Sequence, residues 1–308
     1  MPSGVPPGGA EPYGVVVVDK PAGPTSHDVV ARLRKLFATR RVGHAGTLDP
    51  AATGILLVGL GRATRVLQFL QALPKCYRAE VAFGTTTSTQ DATGAVLAHR
   101  ACRFDRSGLL AAMAALTGPI EQVPPMVSAV RVGGERLYAA ARRGEEVERA
   151  ARPVTVYAFA LESFDPESWS ATVLVRCSSG TYVRTLAADL GGALGCGAHL
   201  RSLRRLAVGS LTEAEAVTLP GLEAMPPEDR VAVVLSPAAA LRDLKAVPVE
   251  GGSLEGVRHG RALEGGDPGG ALGAAGDGEP LAILTPEGEL VAVYRRDGAA
   301  LRAACVLV

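Results

Sequence analysis

The hydrophobic pattern begins at Tyr13. The residues before it, "MPSGVPPGGAEP", are rich in Pro and Gly, and residues 1–10 read as a flexible tail. "YGVVVVDK" is a β-branched run that predicts a short strand, stopped by Pro21, Gly23 and Pro24. In "HDVVARLRKLF", Val29, Val30, Leu33, Leu36 and Phe37 recur at helical spacing, with Ser26 as the expected N-cap. "GILLVGLG" is apolar without alternation and reads as a buried strand, followed by a helix over "RATRVLQFLQAL" that Pro74 ends. "CYRAEVAF" alternates, with Tyr77, Ala79, Val81 and Phe83 on one face and Arg78 and Glu80 on the other.

Farther on, "TTTSTQDATG" reads as a loop and Ser107–Leu116 as a helix. "MVSAVRV" is a strand entering a Gly-Gly turn, with a helix after it that Gly144 closes. "VTVYAFALESF" and "ATVLVRC" are strands, "SSGTYVRTLAADLGGALG" turns into a helix, and "AHLRSLRRLAVGSL" is a basic strand. Prolines 220, 226, 227, 237 and 248 mark a composition shift. Beyond it, Gly-rich loops and two short strands, "LAILT" and "LVAVYRR", suggest a small all-β module resembling a half-open barrel. Strands and helices mix without βαβ alternation, which makes the main domain α+β.

Composition adds little to this picture until it is read locally. At 308 residues and 47% hydrophobic, the chain has room for one large and one smaller domain. No signal-peptide pattern or apolar run near 20 residues is found, and the five cysteines are scattered without a C-x-x-C pair. A reducing, cytoplasmic setting is expected. The five histidines show no metal-ligand spacing. Net charge is only +1, but the segment from Ala31 to Arg78 carries Arg32, Arg34, Lys35, Arg40, Arg41, Arg62, Arg65, Lys75 and Arg78. Such a stretch attracts phosphates whatever the total charge.

One carboxylate, Asp49 in "GHAGTLDP", stands inside that basic segment ahead of Glu80. An Asp-Pro pair is commonly a helix cap or a turn, with Pro at the first helical position. The strand-like run that follows weakens the cap reading and leaves a nucleophile open, since an ionised carboxylate can attack carbon and a nearby guanidinium lowers its pKa. Gly59 and Gly61 come close to a dinucleotide fingerprint, yet Thr64 occupies the third glycine position and Glu80 falls in mid-strand, where no ribose-binding acid is expected. Tyr77 is a core tyrosine or a stacking platform, and Arg184, taken alone, is a solvated helix arginine. "RSLRRL" is a basic edge strand or a phosphate-tracking surface.

Taken together, these segments are more specific. "GHAGTLDPAATGILLVGLGRATR" resembles the catalytic motif of the bacterial tRNA pseudouridine synthase B family, and "VVDKPAGPTSHDVV", "KCYRAEVAFGTTTSTQDATG", "SSGTYVRTLAADLG" and "GAHLRSLRRLAVG" resemble its other segments in order. The resemblance spans most of Tyr13 to Leu241. Ala45 stands where the family usually has Thr, and Ser179 where Lys is frequent.

This resemblance implies a pseudouridine synthase fold with a mixed, largely antiparallel central sheet flanked by helices. It places the catalytic domain at 11–241 and a PUA-like RNA-binding module at 242–308. It implies that Asp49 is the nucleophile, that Arg184 keeps it ionised, and that Tyr77 stacks on the target uracil and serves in proton transfer. Tyr182 and Leu203 line the uracil pocket, His44 pushes into the RNA loop, and Lys20 with Pro21 supports the site at the margin of a phosphate-binding surface. Asp91 is typical of the family and takes no assigned role. The implied reaction is isomerisation of the uridine at tRNA position 55, in the T-loop, by base flipping. It calls for no metal or redox cofactor. A monomer without an obligate protein partner or membrane association is expected. Two rivals stay open here: an RNA-binding or chaperone protein of the same fold without activity, and a nucleotide-dependent oxidoreductase.

Overall fold

A computed structural model describes residues 12–128, 131–132, 135–136, 143, 145, 147–263, 276–298 and 300–307. The expected N-terminal tail lies outside them, as does nearly all of the helix expected after the Gly-Gly turn. The chain divides into two compact units: Met1–Leu73 with Ala207–Val308, and Pro74–Leu206. Both are mixed assemblies of strand and helix with mainly antiparallel pairing, the α+β class that the pattern predicts.

The first unit opens with β1 (Gly14–Lys20), α1 (Ser26–Leu36), β2 (Val42–His44) and β3 (Thr53–Leu60). β1 and β3 pair antiparallel from Gly14↔Leu60 to Lys20↔Gly54, and β1 also pairs in parallel with Val217–Thr218. Val16, Val18, Leu56 and Val58 pack under Val29, Val30 and Leu33 of α1. Val15, Val17, Ile55 and Leu57 pack on the opposite face with Phe69 and Leu70. Burial on both faces is why these strands show unbroken apolar runs instead of alternation. After β3, the expected helix is split into a 3₁₀ segment, Gly61–Val66, and α2 (Leu67–Ala72).

The second unit holds β4 (Lys75–Phe83), a hairpin of β5 (Thr85–Thr87) and β6 (Val96–His99), α3 (Arg106–Ala115) and β7 (Gly118–Gln122). Then come β8 (Arg152–Asp165), β9 (Ser170–Cys177), α4 (Val183–Ala193) and β10 (Ala198–Val208). The strand order is β10-β4-β9-β8-β7. On β4 the expected inward face is borne out, with Tyr77, Ala79, Val81 and Phe83 all buried.

Back in the first unit, β11 (Lys245–Pro248), β12 (Pro280–Leu284), β13 (Leu290–Asp297) and β14 (Ala300–Val306) form a four-stranded sheet in that order. Only β12 and β13 carry a readable strand pattern. β11 is short and ends at Pro248, and β14 is rich in small residues. The sheet has its own core around Val247, Val257, Ile283 and Tyr294, whose buried hydroxyl donates to the Arg261 carbonyl at 2.8 Å. Its other face is not independent: Ala282, Leu290, Val293 and Leu307 share a core with Phe69, Leu70 and Val208.

Candidate active site

The Asp49 turn is pinned from below. His44 is paired with Val58, and the Ala45 N–H donates to the Leu57 carbonyl at 2.9 Å, so β2 delivers the chain to Gly46 in a fixed direction. Gly46 takes φ +94°, a conformation favouring glycine. The Ala52 N–H then donates to the Asp49 carbonyl at 3.0 Å. Asp49 is therefore the first residue of a β-turn with Pro50 second, not a helix cap. The Ser26 hydroxyl accepts from the Leu48 N–H at 2.9 Å and donates to the Leu48 carbonyl at 3.1 Å. This corrects the expected N-cap. Thr25 caps α1, in a capping box with Asp28, and leaves Ser26 to hold the turn.

Lys20 requires a second correction. Expected at the edge of a phosphate-binding surface, it is fully buried. Its ammonium donates to the carbonyls of Pro21, Pro50 and Ala52 at 2.9, 3.2 and 2.7 Å. A buried ammonium needs such oxygens, so Lys20 ties the end of β1 to both sides of the Asp-Pro turn. Asp49 and His44 are half-buried, and the His44 ring meets His27 edge-on at 5.3 Å.

In the second unit, Arg184 lies in the first turn of α4, where a cation opposes the helix dipole. It is nevertheless only 4% exposed. Its guanidinium donates to the carbonyls of Thr89 at 3.1 Å and Val127 at 2.8 Å, and its Nε lies 3.8 Å from Asp91 Oδ2. This rules out the reading of a solvated helix arginine. Asp91 accepts from the Thr89 hydroxyl and from the Thr93 hydroxyl and N–H at 2.6–2.9 Å. Burial pushes its carboxyl up, but these bonds and Arg184 outweigh that and hold it below the usual carboxylate range. The loop that carries Asp91 is docked through Ala92 and Gln90 onto both backbone groups of Leu200 on β10, the strand that bears Leu203. Tyr182, half-buried at the α4 N-cap, is clasped by the Gln122 amide at its N–H and carbonyl. No sequence signal marked Gln122. Asp91 stood in a recognisable segment without a partner to define its role.

The basic stretches are mostly engaged. Arg78 forms a bidentate pair with Glu162, Arg32 pairs with Glu223, and Arg65 donates to the Val306 carbonyl. In "RSLRRL", Arg201 pairs with Glu80 at 2.7 Å and Arg205 is 1% exposed, so this run is not a phosphate-tracking surface as a whole. Burial, reinforced by Arg205, lowers the Lys75 ammonium to about 8. The dinucleotide resemblance also dissolves. β1 and β3 are antiparallel, a side chain at Gly59 would strike Leu67, and Gly61 turns at φ +58°.

The comparisons with known proteins agree with these motifs. The profile described as "TruB family pseudouridylate synthase (N terminal domain)" matches residues 34–183, and that of the "tRNA pseudouridylate synthase B C-terminal domain" matches 184–241. The chain belongs to the TruB pseudouridylate synthase family. A tRNA pseudouridine synthase B of Arthrobacter sp. (strain FB24) is 46% identical over 290 residues, covering 92% of this chain and 93% of that one. One of Thermobifida fusca (strain YX) is 46% identical over 287 residues, covering 91% and 93%. Among solved structures, the chain is similar to one in a Cbf5–Nop10–Gar1 complex, with TM-score 0.75, 27% identity, and 96% and 85% coverage. His44, Asp49, Tyr77, Tyr182, Arg184 and Leu203 fall within the matched residues, and Lys20 lies before them.

Proposed function

We propose that this protein is a tRNA pseudouridine synthase that isomerises the T-loop uridine at position 55. Asp49 supplies the nucleophile, Arg184 is the cation that keeps it ionised, and Tyr77 stacks on the uracil and serves in proton transfer at C5 or at the sugar. Tyr182 and Leu203 wall the base, and His44 holds the opened loop. The N1–C1′ bond breaks, the uracil turns, and a C5–C1′ bond forms. C5 loses one proton and N1 gains one, so the change is redox-neutral. Taking the base out of the stacked loop costs a few kcal/mol, which stacking and edge contacts offset.

The observation that carries this reading is the clamp beneath Asp49. Three carbonyls taken by Lys20, and a Leu48 peptide held on both sides by Ser26, fix a carboxylate-bearing turn. Pure RNA binding needs no such carboxylate, and phosphates repel one. The C-terminal sheet serves as an added RNA-binding module, and the enzyme acts as a cytoplasmic monomer without an obligate protein partner.

The test is tritium release from C5 of uridine in unmodified tRNA transcript, with the modified position mapped. Wild type releases tritium at the T-loop uridine and Asp49→Asn does not. Equal release by both would remove Asp49 from the chemistry. No release by wild type with tRNA still bound would favour a non-catalytic binding protein.

A further inference from the structure

We infer that a basic hollow at the end of α1 is a subsite for backbone phosphates of the substrate RNA, a proposal that rests on the tRNA reading above. The hollow has a volume of about 340 Å³ and is lined by Arg34, Lys35, Ala38, Thr39 and Arg40. Three of the five are cations and none is acidic.

The ordinary explanation for cations at this place is the helix dipole, whose negative end attracts Lys and Arg. Other groups already serve that end of α1. The Leu33, Arg34 and Lys35 carbonyls accept from the N–H groups of Phe37, Thr39 and Ala38. The Leu36 carbonyl accepts from the Arg230 guanidinium at 2.8 Å. Arg34 turns to the Val42 carbonyl at 3.1 Å, which fixes one wall of the hollow. Lys35 and Arg40 are exposed and make no side-chain hydrogen bond or ion pair among the described residues. The one acid on α1, Asp28, serves the Thr25 cap at the other end of the helix, and Glu223 pairs with Arg32.

Position along the chain selects the ligand. Arg40 is four residues from His44, and four extended residues span at most about 14 Å. Successive phosphates of one strand advance about 3.4 Å along a duplex axis. Arg40 is thus within a few nucleotides' reach of an RNA loop opened at His44, and the hollow sets Lys35 beside it. The hollow recognises a phosphodiester by charge alone, so it contributes affinity and register without reading sequence.

The test measures the affinity of the full-length protein for unmodified tRNA as a function of NaCl concentration. The variants are Lys35→Ala/Arg40→Ala, the charge-preserving Lys35→Arg/Arg40→Lys, and Arg32→Ala, which removes a charge from the same helix outside the hollow. Each lost phosphate contact lowers the log–log salt slope by about 0.7–0.9. The double alanine variant should thus lose about 1.5 from the slope and bind on the order of 10- to 50-fold more weakly near 0.1 M salt. Its defect should fall more on KM than on kcat, the charge-preserving pair should restore binding, and Arg32→Ala should leave the slope in place. An unchanged slope in a double alanine variant that melts like wild type would overturn the proposal while leaving the tRNA reading intact. So would an equal loss with Arg32→Ala, which would mean diffuse charge. If wild type does not bind tRNA, both fall together.

Discussion

The guanidinium of Arg184 faces the carboxylate of Asp91, Nε to Oδ2, across 3.8 Å, with the two side chains 5% and 18% exposed. The loop carboxylate is in turn fixed by Thr89 and Thr93. A buried cation held by one carboxylate and two carbonyls has a single preferred orientation. Asp91→Asn keeps the shape and removes the charge. On the role proposed for Arg184, we expect kcat to fall about 10- to 100-fold, while the tRNA Kd changes little. Stability should fall by about 1–3 kcal/mol, less than for a fully buried pair because Asp91 is partly solvated. The sign with pH follows from the lowered carboxyl. The contribution is complete above the unfolded value, about 3.9, and is lost as pH falls through the folded one. Denaturant titrations of wild type and Asp91→Asn should therefore converge in acid.

Ser26 and Thr25 are adjacent in sequence and do different work, which a pair of variants separates. Thr25→Ala removes the helix cap and should cost about 1 kcal/mol, with kcat near wild type. Ser26→Ala leaves α1 capped but strands the Leu48 N–H and carbonyl in a buried setting, at a cost of about 1–3 kcal/mol. Because Leu48 precedes Asp49, Ser26→Ala should also lower kcat. Equal kcat for the two variants would show that the clamp does not position the carboxylate.

These two residues show where sequence reading works and where it stops. The helix start was legible from Ser26 and the apolar spacing, but the cap belongs to its neighbour Thr25, because the partner that draws Ser26 away, Leu48, is 22 residues distant. Asp49 could be singled out by its isolation in a basic segment. Whether it was a cap or a turn depended on the Ala52 N–H. In the same way, "RSLRRL" announces charge, while the burial of Arg205 depends on the strands around it. Local periodicity marks elements; long-range pairing decides which polar groups are buried and what they hold.

Lys75 gives a prediction at alkaline pH. Burial and Arg205 lower its ammonium from 10.5 to about 8. Between those values the unfolded chain holds a proton that the folded chain has released, so stability rises with pH across that window. At neutral pH both states are protonated and the penalty is complete, roughly 2–4 kcal/mol. In Lys75→Met the rise between pH 8 and 10.5 should be absent from a series of urea titrations. A rise of the same size in the variant would show that another group is responsible.

Ala38 ends α1 in the left-handed region, at φ +49°. Its N–H donates to Lys35, and that of Thr39 to Arg34, the arrangement that usually places glycine just past a helix. The methyl group there strains against its own backbone, by about 1–2 kcal/mol for an L residue in this region. Glycine relieves that strain but gives the unfolded chain more freedom, which returns part of the gain. Ala38→Gly should therefore stabilise the protein by about 0.5–1 kcal/mol, seen as a higher denaturant midpoint at unchanged m-value. A lower midpoint would mean that the Ala38 methyl contributes more by lining the hollow than it loses to backbone strain.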